Sequence, residues 1–429
     1  MNYQKEKIKK GITLHQIDTK KFKTNLLSVF ITVPLAKETV TLNSVLVAIL
    51  RRGSKNMPTQ EMISKKLENM YGAAFDCGID KVGDNQILKF YFESVNDIFL
   101  PEQEDVLRQS IDKLLEIVFN PYVESNGFKE EYVQGEKQNI RKIIEGKIDN
   151  KAQYALNRCI EEMYKDKPYG IYKFGYVEDL EKINRENLYE HYKNLIQTSK
   201  IDIFVSGDMQ KDIIQVIREN ENIKQLQERE PQYILNNEMN TEKKQIEEVK
   251  KVQETMDVNQ GKLVMGLDID LQEENVRFPA VVYNGILGGT ANSKLFQNVR
   301  EKASLAYSAS SSYIRQKNNI FIRCGIEAQN YEKAVEIITE QIENMKQGKF
   351  EEEEIENAKK SIISGIDSID DEQDTEIVYV FGQELTKTEM SIEEYRKNIE
   401  EVTKEQILKI ANSIKINTIY LLKGNEKGE

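Results

Sequence analysis

Hydrophobic and polar residues follow two different periods along this chain. An alternating pattern, typical of half-buried β-strands, occurs at residues 11–18, 26–33 and 86–95. Apolar residues at i, i+3, i+4 and i+7, typical of amphipathic helices, occur at residues 60–71, 104–118 and 331–346. Strands and helices are mixed, and residues 73–93 read as an antiparallel strand pair. The pattern therefore predicts the α+β class, with antiparallel sheets flanked by helices.

One predicted helix has two faces of different character. It begins near Leu42 and stops before Gly53. Its apolar stripe consists of Leu42, Val45, Leu46 and Ile49. Its second face, also at helical spacing, consists of Ser44, Val47 and Ala48. This second face offers no imidazole, carboxylate or thiol, so it carries no catalytic group of its own.

The chain contains two copies of one sequence unit. Tyr71 lies 18 positions after Gly53 and Tyr307 lies 18 positions after Gly289, at an offset of 236 residues between the copies. Matches further along have smaller offsets, which indicates deletions in loops. The repeat predicts two homologous domains, at residues 1–220 and 249–429, joined by a polar linker at residues 221–248.

Composition narrows the possible functions. The 429 residues carry a net charge of -12, which argues against a long nucleic-acid groove as the main function. The start of the chain lacks the apolar core of a signal peptide, and no apolar run approaches the ~18 residues that a membrane-spanning helix needs. We therefore expect a cytoplasmic protein with neither nucleic acid nor membrane as a partner.

The usual metal-binding side chains are few and scattered. Three cysteines, at positions 77, 159 and 324, do not form a disulfide framework or a cysteine-type zinc site. The only two histidines, His15 and His191, lie on a predicted strand and a predicted helix with no further ligand at metal-binding spacing. We expect both histidines to be structural, and no phosphate-binding loop or nucleophile elbow is present.

The segment "GGTANSKLFQNVREKASLAYSASSSY", Gly288 to Tyr313, resembles a signature of the insulinase and pitrilysin family of zinc peptidases, which includes the mitochondrial processing peptidases. The matched features are the glycine pair, Ser-x-Leu-Phe, Arg-Glu-Lys and Leu-Ala-Tyr. The resemblance covers nearly the whole chain. It implies two duplicated α+β domains that face each other as a clamshell around a substrate chamber.

Active members of that family carry a His-x-x-Glu-His motif, in which two histidines bind zinc and the glutamate acts as the base. Alignment on Gly53 places the motif on residues 44–48, where serine and alanine replace the histidines and valine replaces the glutamate. If Glu136 is the first glutamate of the family's later pair, the third ligand position falls on Ile143, although a shifted register brings Glu145 near it. The resemblance thus implies no zinc, no other cofactor and no catalytic residue, and an inactive chain when alone.

The second-domain half of the family's substrate site is retained. By matching, its arginine and tyrosine are Arg300 and Tyr307. A guanidinium can bind a peptide carbonyl or carboxylate through two donors, and a phenol can donate to an oxyanion. Alternatively, Arg300 caps a helix or pairs with a surface carboxylate, and Tyr307 packs at a domain edge.

Three functions remain open at this stage. The first is a non-catalytic subunit of a two-chain peptidase that contributes peptide contacts to a zinc-bearing insulinase-type partner; a heterodimer is expected, and a homodimer stays open. The second is a free-standing peptide-binding or scaffold protein. The third, an active enzyme with unusual ligands, has least support.

Residues 72–80 match the family's edge strand that lines the chamber. A peptide substrate could add to this strand through backbone hydrogen bonds. The alternative is that the edge is already paired or covered, as protein edges usually are.

Overall fold

The structure is a computed structural model that describes residues 2–102, 104–209, 211–234, 248–271 and 276–424. Its strands are β1 (Asn2–Lys9), β2 (Ile12–Asp18), β3 (Thr24–Pro34), β4 (Ala74–Val82), β5 (Asn85–Val95), β6 (Lys200–Gly207), β7 (Lys250–Thr255), β8 (Gly261–Ile269), β9 (Ala306–Ile314), β10 (Asn319–Ile326) and β11 (Ile414–Lys423).

Its helices are α1 (Val40–Leu50), α2 (Gln60–Glu68), α3 (Val106–Phe119), α4 (Glu130–Glu145), α5 (Lys151–Met163), α6 (Val177–Leu180), α7 (Arg185–Thr198), α8 (Ile213–Glu219), α9 (Glu221–Lys224), α10 (Arg277–Asn284), α11 (Tyr331–Lys346), α12 (Glu352–Asp367), α13 (Gln373–Thr386), α14 (Ile392–Glu400) and α15 (Lys404–Ser413). Two π-helical segments span Gly285–Gly289 and Phe296–Lys302. In the part of the chain that the structure describes, no helix has the length and apolar character needed to cross a membrane.

The first compact unit consists of Met1–Gly146, Ile171–Leu235 and Asp370–Gly382. Its six strands form one sheet in the order β1-β2-β6-β3-β5-β4. The pairs are antiparallel except for β2 with β6, which is parallel. One face of the sheet packs against α1 and α3, and the core between them includes Leu27, Leu46, Leu88 and Leu114. This unit has the predicted α+β architecture.

The second compact unit consists of Lys147–Gly170, Asn236–Ile369 and Gln383–Glu429. Its five strands form a sheet in the order β7-β11-β8-β10-β9, again with a single parallel pair, β11 with β7. Its core joins the sheet to helices that include α10, α11 and α15, through residues such as Leu267, Tyr283, Ile338 and Ile407. The two units therefore repeat one plan, and the α+β class predicted from the sequence is confirmed.

Neither unit is a continuous stretch of chain. Helix α5, from the first half of the sequence, packs on the second sheet, where Tyr154, Cys159 and Tyr164 share a core with Phe321 and Tyr420. Helix α13 up to Gly382, from the second half, belongs to the first unit. These two helices therefore exchange places between the two halves of the chain.

The exchanged helix α13 contacts the face of the first sheet that lies opposite the main core. The ring of Phe381 meets that of Phe30 edge-on, with 4.9 Å between the ring centroids. The Gln373 side chain donates from Nε2 to the Ser206 carbonyl oxygen at 3.0 Å. Apolar and polar contacts together thus fix α13 on this face.

The two glycines that define the repeat are closely packed, Gly53 after α1 and Gly289 at the end of a π-helical segment. A Cβ on Gly53 would lie 2.5 Å from the Pro58 carbonyl oxygen, and a Cβ on Gly289 would lie 2.6 Å from Nδ2 of Asn284. A real Cβ does not approach a backbone oxygen so closely, so position 53 requires glycine, whereas at position 289 the Asn284 side chain would have to move. Both glycines of the repeat are thus closely packed, but against different kinds of neighbour.

The predicted linker begins as an ordered part of the first unit. Helix α9 lies inside it, and the Arg229 amide donates to the Lys10 carbonyl oxygen at 3.1 Å. Ile234 and Asn85 exchange two hydrogen bonds of 2.7 and 2.8 Å. Of residues 221–248, residues 235–247 lie outside the described residues.

Candidate functional site

Helix α1 is buried around most of its circumference, including the face that the sequence left without a role. Ser44 is 1% exposed, and its hydroxyl donates to the Val40 carbonyl oxygen at 3.1 Å. Val47 is 4% exposed, and the Cys77 thiol of β4 lies 3.7 Å from its carbonyl oxygen. Arg51 follows one helical turn after Val47 and continues this face to the protein surface. Ser44, Val47, Ala48 and Arg51 are called the substituted face below.

An ion pair joins α1 to α4 beside the substituted face. The Arg52 guanidinium pairs with the carboxylate of Glu136, which is 5% exposed. The Asn139 side-chain amide donates to the second Glu136 oxygen at 3.0 Å. Both carboxylate oxygens of Glu136 are thus occupied by donors.

The other positions that the sequence identified on α4 face solvent. Ile143 is 44% exposed, and Glu145 is also exposed. In the described parts of the chain, no group of three or more His, Cys, Asp and Glu side chains is arranged to hold a metal ion. The geometry therefore brings Glu136 to α1 but assembles no ligand set around it.

The two histidines lie in separate hydrogen-bond networks of the first unit. His15 is fully buried, with Nδ1 at 2.8 Å from the Tyr3 hydroxyl and Nε2 at 3.0 Å from an Asp202 oxygen. His191 Nε2 lies 2.6 Å from Oδ1 of Asn43 on α1, and burial lowers the pKa of His191 to about 4. A neutral imidazole that donates from Nε2 satisfies this contact. Both arrangements are those of structural histidines.

Strand β4 forms an edge of the first sheet. It pairs with β5 alone among the described strands, through a two-residue hairpin loop in which Gly83 has φ 56°. Such a loop closes on a hydrogen-bonded residue pair, and hydrogen-bonded pairs then alternate along the strands. The backbone groups of residues 75, 77 and 79 therefore point away from β5, toward the open side of the sheet.

The side chains on the α1 side of this edge strand are partly or fully buried. Burial raises the pKa of the Cys77 thiol to about 12, with the Arg51 guanidinium opposing the shift, so the thiol is protonated and unreactive at neutral pH. Ile79 is buried in the core on the same side of the sheet, which fixes the strand in register.

Arg300 and Tyr307 lie close together along the chain in the second unit. Arg300 belongs to the π-helical segment Phe296–Lys302, its guanidinium carbon lies 4.6 Å from the Phe296 ring centroid, and its Nε lies 3.6 Å from a Glu301 carboxylate oxygen. Tyr307 is 81% exposed, and its hydroxyl bonds to no described residue. Most of the Tyr307 side chain is thus open to solvent, whereas the Arg300 guanidinium has a long-distance ion pair with its neighbour Glu301.

The backbone around Tyr307 is irregular on both sides. Ser304 has φ 52°, which is uncommon for a residue other than glycine. Ser308 pairs with Gly325 and Ala306 pairs with Ile326, so Tyr307 is the extra residue of a β-bulge on the edge strand β9. Bulges and π-helical turns are enriched next to functional sites, where they redirect a side chain.

Sequence reasoning missed the partner of Glu136. It placed this residue on the helix next to the altered motif but gave Arg52 no role. The available signal was Arg52 itself, a basic residue directly after the end of α1, close in sequence to the altered motif.

Comparisons with known proteins agree with this geometry. A family model described as the peptidase M16 inactive domain matches residues 182–362. The probable inactive metalloprotease YmfF of Bacillus subtilis (strain 168) is 36% identical over 417 residues, which cover 97% of this chain and 96% of YmfF. The chain belongs to the M16 peptidase family. The resemblance to insulinase-type peptidases drawn from the sequence is thereby confirmed, and this M16 chain is of the inactive type.

A solved structure and a second relative extend the comparison. The crystal structure of a conserved protein from Enterococcus faecalis V583 superposes on the M16 chain with a TM-score of 0.89 and 28% identity, covering 100% of both chains. The uncharacterized zinc protease YmxG of Bacillus subtilis (strain 168) is 21% identical over 291 residues, 66% of each chain.

The residues of this M16 chain do not fit the zinc ion that the His-x-x-Glu-His motif holds in the family. The Ser44 hydroxyl is already bonded to a backbone carbonyl, and Val47 and Ala48 carry no donor atom. The nearby Glu136 carboxylate is paired with Arg52. A guanidinium therefore neutralises the carboxylate on this side of α1.

Proposed function

We propose that this chain is a non-catalytic subunit of a two-chain M16 peptidase and that it contributes peptide contacts to a zinc-bearing partner. Hydrolysis by this family needs a metal-bound water and a base, and the substituted face of α1 offers neither. The observation that carries the proposal is Tyr307, which is 81% exposed on a bulged edge strand and has no hydrogen-bond partner among the described residues.

Tyr307 and Arg300 have chemically distinct roles in this proposal. The phenol donates a hydrogen bond to the oxyanion that forms when water attacks the scissile carbonyl, while the partner supplies the metal and the water. The Arg300 guanidinium binds a carbonyl or carboxylate of the same peptide through its planar pair of donors.

The open edge of β4 supports a role in peptide binding. Its outward backbone groups can pair with an extended peptide, and strand addition gives affinity that depends little on sequence. Hydrogen exchange tests this step directly. A binding peptide should slow amide exchange in residues 72–80, and unchanged exchange there would exclude strand addition.

A chain of this kind requires a catalytic partner. In one organism, an inactive relative and a relative described as a zinc protease occur together. Bacillus subtilis (strain 168) has both the probable inactive metalloprotease YmfF and the uncharacterized zinc protease YmxG. The partner in this proposal is a relative that retains the zinc motif, and the assembly is a heterodimer.

Reconstitution with such a relative tests the proposal. Tyr307→Phe should leave assembly intact and reduce turnover roughly a hundredfold or more, the cost of one lost oxyanion donor. Tyr122→Phe is a matched control in the first unit, since its hydroxyl donates to Glu124 and has no other hydrogen bond among the described residues. Equal turnover of the Tyr307→Phe and wild-type complexes at matched assembly would contradict the shared site.

A scaffold without proteolysis is the second candidate. It is favoured by the position of Arg300, which already has Phe296 and Glu301 as neighbours. This candidate predicts peptide binding without any zinc peptidase that co-purifies from the native cell.

A further inference from the structure

Two consecutive arginines directly follow α1, and they differ in their surroundings. Arg52 is paired with Glu136. Arg51 is exposed, and among the described residues its side chain forms no ion pair or hydrogen bond. Arg51 thus places a cation without an ion pair beside the candidate binding edge, in a chain whose net charge is -12.

The geometry ties Arg51 to one position of the edge strand. The Cys77 thiol contacts the carbonyl of Val47 at 3.7 Å. Arg51 lies four residues after Val47, so the two share a side of α1. The nearby Glu136 carboxylate is paired with Arg52 and accepts from Asn139, so it forms no ion pair with Arg51.

Strand geometry then fixes which peptide side chain meets this charge. Residues directly opposite each other on neighbouring strands place their side chains on the same face of the sheet. A peptide residue opposite Cys77 therefore directs its side chain toward α1 and Arg51. The next peptide residue points to the other face, where Asp76 and Asp80 lie near Tyr91.

We propose that the edge of β4 selects extended peptides that carry an acidic side chain opposite Cys77, bound by the guanidinium of Arg51. This inference rests on the proposed strand addition and adds the chemical class of the peptide. In this proposal the side of α1 that binds zinc in active relatives binds a peptide carboxylate in this chain.

A charge scan tests the inference. A labelled ten-residue peptide rich in Thr and Val, with one Glu moved through successive positions, is titrated against the full chain. Binding should be strongest at one register, and Gln or Lys at that position should weaken it about fivefold. Arg51→Gln should remove this preference, and Arg51→Glu should transfer it to the Lys peptide. Arg108→Gln is the matched control, since Arg108 is an exposed arginine on α3 with no ion pair among the described residues.

Hydrogen exchange of residues 74–82 separates the two levels of the proposal. If peptides slow exchange there but Glu, Gln and Lys peptides bind equally to wild type and to Arg51→Gln, the charge inference is overturned and strand addition stands. If no peptide changes exchange in β4, strand addition fails, and the inference fails with it.

Discussion

Replacing Phe381 by alanine should destabilise the first sheet, although residue 381 lies in the second half of the chain. The Phe381 side chain is 2% exposed, and its ring contacts Phe30 edge-on at 4.9 Å and lies 6.3 Å from the ring of Phe204. Truncation of a buried phenylalanine costs about 3–5 kcal/mol, and an edge-on aromatic pair adds to the area term. We expect a loss of about 3–4 kcal/mol for the unit that contains the first sheet.

The assay must report on the two units separately, because a chain with two units need not unfold in one step. Urea unfolding followed by amide exchange in β3 and β6 measures the first sheet, and exchange in β8 and β10 measures the second. Val378→Ala is the matched control on the same helix, since Val378 is 44% exposed. It should cost below about 1 kcal/mol. Unchanged exchange in β3 and β6 of Phe381→Ala would refute the assignment of α13 to the first sheet.

Further predictions concern the charged and titratable groups. The pKa of His191 is lowered to about 4 in the folded chain, against about 6.5 when unfolded, so its contribution to stability is present above pH 6.5 and is lost as the pH falls toward 4. This loss reaches about 3 kcal/mol, and His191→Gln should show a shallower fall in unfolding free energy between pH 6.5 and 4; an identical pH profile would contradict the neutral imidazole. Arg52→Ala should cost about 2 kcal/mol, less than for a fully buried pair because the Arg52 side chain is 30% exposed. The double variant with Glu136→Leu should recover stability by urea unfolding, and additive losses would argue against the pair. In the reconstituted complex, Arg300→Ala should raise KM more than it lowers kcat, and the opposite division would assign Arg300 a role in the transition state.

Local sequence patterns predicted the elements because the pattern and the element share a cause. The helical period at residues 331–346 matches α11 residue for residue, since its apolar stripe is the side that packs in the core. The antiparallel hairpin of β4 and β5 followed from alternation around a glycine turn. The edge position of β4 came from the family resemblance, and the sheet order agrees with it.

Other features could not be read from local patterns. Periodicity shows that one face of α5 and of α13 is apolar, but it does not say which sheet that face meets, so the exchange was missed. The parallel pair in each sheet depends on long connections that no short window records. The bulge at Tyr307 depends on its register with β10, which the sequence motif that singled out this tyrosine does not record. Its role in substrate binding stays a prediction.

The exchange of α5 and α13 has a consequence for how the protein is made. A ribosome that has finished β6 has released every strand of the first sheet, but the helix that covers Phe30 is still untranslated. At a translation rate of ~5–20 residues per second, this apolar face stays exposed on the order of 10–30 s before α13 is synthesised. We expect the first unit of nascent chains halted before residue 370 to be bound by chaperones and digested readily by protease, while the first unit of chains that extend past residue 386 resists digestion. If the two halves of the chain were expressed as separate polypeptides, each sheet would lack one of its own helices. Neither half would therefore fold as an independent domain.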